Sequence, residues 1–365
     1  MRPRGFGRAR LGYAIRMRVV VVGATGNVGT SVLAALAADP DVDSILGIAR
    51  RRPGLEVPKT EWAAADVSVD ELTPHFQGAD AVVHLAWAIQ PSRDQETVRR
   101  INVEGSARVF DATARAGVPT LVYASSVGAY SAGPKDSAVD ESWPTEGVTT
   151  SFYSRHKAAV ERLLDEFEAG HEAVRVVRLR PGLIFKREAA SEIRRYFAGP
   201  LLPSPLVRDR FIPVIPDVPR LRFQAVHADD VAHAYRLAIK GEARGAFNIA
   251  ADPVLDPPRL AELLGARLVK VHPGLLRTGA ALTWRLRLQP TPPGWLDMAL
   301  AVPIMDTSRA YTELGWRPAI SSADALLELM DGIRSSGGLP TPPLDPSSGG
   351  PMRVRELATG VGGRP

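Results

Sequence analysis

Residues 18 to 29, Arg-Val-Val-Val-Val-Gly-Ala-Thr-Gly-Asn-Val-Gly, limit the fold of this chain more than any other stretch. Val19 to Val22 form an unbroken β-branched run, which predicts a short strand buried on both faces of a parallel sheet. Gly23, Gly26 and Gly29 follow at three-residue steps, and the Ala-rich, Leu-spaced segment Val32 to Ala38 predicts a helix. Strand, glycine turn and helix in that order make a dinucleotide site. A side chain in the turn would hold the pyrophosphate away from the backbone amides and the helix N-terminus. A tight turn without a ligand is the plain alternative, and the flanking strand and helix favour the site.

With 365 residues the chain can bury one large core or two modest ones. No apolar run approaches the roughly 20 residues of a membrane span, so no membrane partner is expected. Cysteine is absent, which excludes disulfides, thiolate metal sites and a cysteine nucleophile, and fits a reducing, cytoplasmic setting. The net charge of +5 raises the question of nucleic acid. Much of the excess lies in Arg2, Arg4, Arg8, Arg10, Arg16 and Arg18, which face no acid in that stretch. Residues 1–16 read as a disordered basic leader, with an organelle transit peptide as the alternative, and Met17 opens the first strand. No nucleic-acid partner is expected.

Ser44 to Ala49 predicts a second strand, ending in Arg50-Arg51-Arg52. A carboxylate at such a tip bonds a free ribose 2′-hydroxyl, whereas arginine pairs with a 2′-phosphate. Arg50 therefore points to NADP, with NAD the alternative, and a solvated basic turn explains the same residues without a ligand. Trp62 to Ala65 predicts a third strand ending at Asp66-Val67, where the acid either meets the adenine amino group or caps a helix. Ala81 to Leu85 predicts the fourth strand, running into Ala86-Trp87-Ala88, with His84 read as a packed core residue. Residues 94–117 predict one long amphipathic helix, in which Asn102 suits a side-chain role or a kink. Leu121 to Ala124 is the fifth strand and delivers Ser125-Ser126 to the edge where ligand chemistry sits in a doubly wound sheet.

Tyr153 and Lys157 open a predicted helix that continues to about Ala169, and their four-residue spacing puts both on one face. An ammonium beside a phenol favours the phenolate, so Lys157 is expected to lower the Tyr153 pKa and fit it for proton exchange with an alcohol or ketone. Ala173 to Leu179 predicts a sixth strand closed by Arg180-Pro181-Gly182. The Pro-rich residues 199–220 are expected to form part of a substrate lid. Phe223 to His227, a helix from Asp229 to Lys240, and Ala246 to Ile249 return to regular structure. His227, Asp229, Asp230 and His233 lack a metal-ligand spacing; capping by Asp229 or Asp230 explains them, and no metal is expected. Residues 257–335 read as small helices, and Gly, Pro and Ser from Ser335 onward predict a disordered tail.

Together these motifs resemble the extended branch of the short-chain dehydrogenase/reductase family, the NAD-dependent epimerase/dehydratase group, over roughly residues 17–334. Gly23-Ala24-Thr25-Gly26-Asn27-Val28-Gly29 matches its nucleotide loop, Asp66-Val67 its adenine contact and Asn102-Val103-Glu104-Gly105 its helix asparagine. Ser126, Tyr153 and Lys157 match its catalytic set, and Arg180-Pro181-Gly182, Val226-His227-Ala228-Asp229-Asp230 and Leu314-Gly315-Trp316 recur in order. The resemblance implies an α/β fold: a Rossmann-type doubly wound parallel sheet with a smaller C-terminal α/β substrate-binding region. The nucleotide-binding domain is then 17–180 plus 223–250, the substrate-binding region 181–222 and 251–334, and the disordered tail 335–365.

By the same resemblance Tyr153 is the acid/base, Ser126 holds the substrate oxygen, Lys157 holds the nicotinamide ribose, and Asn102 positions a water or neighbouring backbone. The cofactor contacts are Gly23, Thr25, Gly26, Asn27, Val28, Gly29, Arg50, Asp66, Val67, Leu85, Ala86, Lys157 and Pro181. The substrate pocket is Trp87, Ser126, Val127 and Leu183. Val127-Gly128 replaces the Asp-Glu of nucleotide-sugar dehydratases, which argues against dehydration. Leu183 follows the Arg-Pro-Gly turn, and Phe223 stands where many nucleotide-sugar members present arginine, with Arg222 adjacent. The expected activity is an NAD(P)-dependent oxidoreductase acting on a hydroxyl or carbonyl carbon of a small, rather apolar substrate. A nucleotide-sugar epimerase with tightly held NAD is the alternative, and a non-catalytic NADP-binding regulator is the third reading. A homodimer through the helices of Asn102 and Tyr153 is a family expectation.

Overall fold

The computed structural model describes residues 16–89, 93–197, 212–289 and 291–347. The strands are β1 (Met17–Val22), β2 (Val42–Ala49), β3 (Thr60–Ala64), β4 (Ala81–His84), β5 (Thr120–Ala124), β6 (Ala138–Val139) and β7 (Arg175–Pro181). They continue with β8 (Leu183–Phe185), β9 (Val214–Asp217), β10 (Phe223–His227), β11 (Gly245–Ile249), β12 (Ala251–Leu255), β13 (Arg267–Lys270) and β14 (Ile304–Met305). Seven of them form one parallel sheet in the order β11-β7-β5-β4-β1-β2-β3. The chain winds outward from β1 in both directions, so the C-terminal ends of β1 and β4 border the crevice at which such sheets bind ligands.

The valine run explains the sheet's centre. Val19 and Val21 face a core shared with Val32, Leu33 and Leu36 of the helix Asn27–Ala37 and with Val231, Tyr235 and Ala238 of the helix Ala228–Lys240. Val20 and Val22 face the opposite core, with Val109 and Phe110 of the helix Gly105–Arg115 and Val160 and Leu164 of the helix Phe152–Gly170. A strand covered on both faces has no reason to alternate polar residues, and this one does not.

Four expectations are corrected. The segment 94–117 is two α-helices, Gln95–Arg99 and Gly105–Arg115, joined by a π-helical turn over Arg100–Glu104. The extra backbone residue lies at Asn102, so the odd residue marks a bulge and not a continuous helix. Strand β10 does not extend the large sheet. It lies in a small sheet, β12-β10-β8, because β8 carries the chain past Pro181 and offers a new edge, and β11 takes the place beside β7. The helix Ser322–Ser335 covers that sheet, with Leu326 and Leu329 against Phe185, Ala225 and Leu255. The helix Ala228–Lys240 is capped by His227, whose Nδ1 accepts from the Asp229 amide at 3.2 Å, and not by an aspartate. Asp230 instead accepts from the amides of Ala319 and Ile320 at 2.9 and 3.0 Å, while its carbonyl accepts from the Trp316 indole at 2.8 Å.

The fourth correction concerns the chain end. Residues 336–347 fold back with Thr341 and Leu344 buried, and the Thr341 hydroxyl donates to the Thr25 carbonyl at 2.9 Å. Gly, Pro and Ser weaken a segment on average, and two well-placed anchors outweigh that average here. The leader up to residue 15, the lid residues 199–211 and the tail 348–365 lie outside the described residues.

Candidate active site

The glycine loop closes because its first and third glycines have no side chain. Gly23 has φ +87°, and a Cβ there would stand 2.5 Å from the Ala86 nitrogen. A Cβ on Gly29 would meet the Gly23 carbonyl at 2.5 Å. The turn thus packs directly on the backbone after β4 and aims the N-terminus of the helix Asn27–Ala37 at the crevice. A cleft of about 180 Å³ runs there, and Gly23, Thr25, Gly26, Arg50, Asp66, Val67, Leu85, Ala86 and Trp87 all line it. Eight of the predicted cofactor contacts therefore share one wall with a predicted pocket residue.

Other predicted contacts stand elsewhere. Asn27 donates its amide to the Ile184 carbonyl at 3.1 Å, tying the loop to β8. Val28 packs on the core and Pro181 ends β7, both outside the cleft lining. Asp66 lines the cleft and also holds its own turn, accepting from the Ser68 amide and hydroxyl at 2.9 and 2.6 Å. Burial raises the Asp66 pKa, but the Ser68 hydrogen bonds and the Arg50 and Arg100 charges outweigh it and keep the carboxyl below its ordinary value.

Among the lining residues that the sequence reading did not assign to the cofactor are Arg51, beside Arg50 at the tip of β2, Ile101 and Glu192, and Pro342 and Pro343 of the returning C-terminal segment. The Arg run was the signal for Arg51. No local pattern marks two prolines more than 300 residues from the loop they cover.

At the chemical end, Ser126 and Tyr153 meet because the helix Phe152–Gly170 is stitched to the β5 loop. The Ser154 hydroxyl donates to the Gly128 carbonyl at 2.5 Å and accepts from the Val148 amide at 2.6 Å. Gly128 leaves room for the phenol: a Cβ there would touch the Tyr153 ring at 2.8 Å. The Ser126 side chain hydrogen-bonds the Tyr153 phenol and also accepts from the Gly128 amide at 3.0 Å. Trp87 and Trp295 flank the Tyr153 ring, with centroids at 6.0 and 5.0 Å. Trp295, on the helix Gly294–Ala301, was not foreseen, because nothing periodic distinguishes a tryptophan after a proline pair.

The expected role of Lys157 toward the phenol is corrected. Its ammonium donates to the Ala124 carbonyl at 2.6 Å and to the Tyr123 hydroxyl at 3.4 Å, and sits 3.5 Å from the Trp87 ring centroid. It lies 5.9 Å from the Tyr153 ring centroid. Burial pushes the phenol up to about 12, against the opposing hydrogen bond from Ser126. Burial likewise holds the Lys157 ammonium well below the usual lysine range, opposed by the charge of Glu161. In this arrangement desolvation outweighs the cation. Asn102 is fully buried and clamps Ala88 from both sides: its Oδ1 accepts from the Ala88 amide at 2.7 Å and its Nδ2 donates to the Ala88 carbonyl at 3.1 Å. Asn102 thus holds backbone next to Trp87. Of the predicted pocket, Trp87 and Ser126 border Tyr153, whereas Val127 packs with Tyr130 and Met305 and Leu183 is exposed on β8.

Beneath the site lies an ionic floor that the motifs did not indicate. Glu161 is fully buried and accepts from Arg180 through both carboxylate oxygens at 2.8 and 3.0 Å, from Arg178 at 2.9 Å and from the Ser125 hydroxyl at 2.5 Å. Burial raises the Glu161 pKa, but these partners win and bring it down to about 2. The network joins the helix Phe152–Gly170 to β7 and to the serine preceding Ser126. Its trace in the sequence is Arg178 and Arg180, two of the three arginines of a strand whose other residues are apolar.

Comparison with known proteins agrees with this architecture. The NAD dependent epimerase/dehydratase family matches residues 19–250. The uncharacterized protein Rv2047c of Mycobacterium tuberculosis is 27% identical over 329 residues, which cover 88% of this chain and 31% of that protein. The chain therefore spans about a third of the length of that relative. Among solved structures, a short-chain dehydrogenase/reductase superfamily protein from Agrobacterium tumefaciens with bound NAD aligns at a TM-score of 0.65 and 23% identity, over 87% of this chain and 98% of that one. MoeE5 in complex with UDP-glucuronic acid and NAD aligns at a TM-score of 0.63 and 20% identity, over 87% and 99%. The profile matched over residues 19–250, with which the glycine-loop geometry agrees, establishes that the chain belongs to the NAD dependent epimerase/dehydratase family.

Proposed function

We propose that the chain is an NADP-preferring oxidoreductase that interconverts a hydroxyl and a carbonyl on a small, largely apolar substrate, with Tyr153 as the acid/base. The observation that carries this reading is the setting of the phenol: hydrogen-bonded to Ser126 and enclosed by Trp87 and Trp295. The two indoles offer apolar contact to a substrate and little to a diphosphate. Arg222, the cation a charged substrate would need, pairs instead with Asp136 at 2.7 Å.

The bound nicotinamide supplies or takes the hydride. The protein orients the substrate oxygen on Ser126 and moves the proton. A phenol held near 12 stays protonated through neutral pH, which suits Tyr153 to donate its proton to the oxygen of a carbonyl as the carbon is reduced. Arg50 and Arg51 at the tip of β2 support a 2′-phosphate, hence NADP over NAD. Homodimerisation through the helices bearing Asn102 and Tyr153, and a cytoplasmic setting, belong to the same proposal. The helices supply a recess of about 340 Å³ lined by Arg99, Val103, Arg155 and His156.

Tyr153→Phe tests the reading: carbonyl reduction followed by NADPH absorbance falls by about 10²–10⁴-fold while NADPH binding stays within a few fold. Retained turnover refutes it. NADPH binding tighter than NADH by fluorescence titration is expected, and the reverse order removes Arg50 from its role. The nucleotide-sugar epimerase reading is favoured by the likeness to MoeE5, whose structure holds a UDP-sugar acid and NAD. Stoichiometric oxidised cofactor in the purified protein together with UDP-sugar turnover would select it.

A further inference from the structure

The most exposed apolar surface among the described residues is one helix and its margins. The helix Pro273–Arg285 buries none of its residues. Leu275, Leu282 and Leu286 are 71%, 56% and 59% exposed, and their spacings of seven and four place them on one stripe. Leu288, just past the helix, is also exposed, as are Leu268 and Val269 of β13, which precedes it in the chain. A stripe this open needs an occupant.

Charge indicates which one. From residue 263 to residue 296 the chain contains no Asp or Glu, and it carries Arg267, Lys270, Arg277, Arg285 and Arg287. Arg277 is paired with Asp297 at 2.7 Å, while Arg267, Lys270, Arg285 and Arg287 are all exposed. A second copy of this chain would bring the same cations against these. A bilayer with anionic headgroups instead takes the leucines below the headgroup level and the guanidinium groups at the phosphates.

The stripe also adjoins the mouth of the site. Arg277 grips Asp297 on the helix that carries Trp295 to the Tyr153 ring. On the other flank Arg93, shortly after Trp87, donates to the Trp284 carbonyl at 2.6 Å and lies 4.4 Å over its ring. We infer that Pro273–Leu288 docks on an anionic lipid surface and seats the Trp87–Trp295 mouth against it. No helix among the described residues is long and apolar enough to span a membrane, so the contact is interfacial. The sequence expectation of no membrane partner addressed spans alone. Docking stands apart from the proposed activity; only the corollary, that the apolar substrate arrives from the lipid phase, rests on that reading.

The test is flotation of the full chain with vesicles of phosphatidylcholine alone or mixed with phosphatidylglycerol. Binding to the mixed vesicles is expected, weakening by about tenfold or more on pure phosphatidylcholine and in high salt. Leu275→Glu with Leu282→Glu, and separately Arg285→Glu with Arg287→Glu, should each lower binding by about tenfold or more while NADPH affinity stays within twofold. Absence of wild-type binding to the mixed vesicles overturns the inference. So does binding that neither variant changes. Concentration-dependent dimerisation abolished by the leucine variant, without vesicle binding, would assign the stripe to a second copy instead. Because NADPH binding is read in parallel, failure of docking and failure of the proposed activity are told apart.

Discussion

The cleft and the Tyr153 cluster that meets it at Trp87, the nucleotide end and the chemical end of the site, are built by different means. The nucleotide end is mostly backbone: Gly23 against Ala86, Gly29 against the Gly23 carbonyl, and a helix N-terminus. The chemical end is side chains from segments far apart in sequence, with Trp87, Ser126, Tyr153 and Trp295 drawn to one point. Backbone recognition requires glycine at fixed steps and leaves a motif. Side-chain convergence leaves individual residues that stand out only after folding. The first end is therefore of the kind a family shares, and on the proposed reading the second is where the substrate is chosen.

The largest expected effect falls on the floor beneath the chemical end. Glu161→Gln takes from Arg180 its only carboxylate partner among the described residues, while Arg178 keeps Asp165 and Glu168, and should lower stability by about 3 kcal/mol in urea unfolding. The Glu161 pKa is lowered in the fold, so its stabilisation is complete above 4.5 and is lost as pH falls from there toward about 2. The wild-type melting temperature should drop over that window, and the glutamine variant should lack that part of the decline. Next comes the backbone end: Gly23→Val puts a side chain into Ala86 at a positive φ and should weaken NADPH binding by about a hundredfold in fluorescence titration. Unchanged affinity would show that the loop does not contact the cofactor.

Trp295→Ala should lower kcat/KM for an apolar carbonyl by about tenfold and leave NADPH affinity alone, separating the two ends directly. An equal loss in both would mean that the indole holds the fold rather than the substrate. The smallest effect is at the returning chain end. Thr341→Val removes one hydrogen bond of about 1 kcal/mol to the glycine loop and should speed NADPH release by about fivefold in stopped flow.

The sheet core and the nucleotide wall were legible because each follows a short-range rule. Four valines imply two covered faces, and eight predicted cofactor contacts do line the cleft. Asn102 was legible as an anomaly and not as a clamp, since its partner Ala88 lies fourteen residues away. The Tyr153–Lys157 spacing announced a shared helix face, but burial decided the protonation of both, and that depends on everything packed around them. Trp295 and Pro342 had no local signature at all, and the Glu161 floor left only the arginines of β7 as a trace.

By itself, then, the sequence determined the elements whose physics is local: the buried strand, the glycine turn, the helix carrying Tyr153 and Lys157, and the arginine tip. Only the tertiary structure decided where Lys157 points, which aromatics enclose the phenol, that residues 336–347 cover the nucleotide loop, and that a leucine stripe stands open beside the mouth. The reason is range. Backbone geometry and periodicity act over a few residues, whereas desolvation and packing depend on neighbours that only the completed fold supplies.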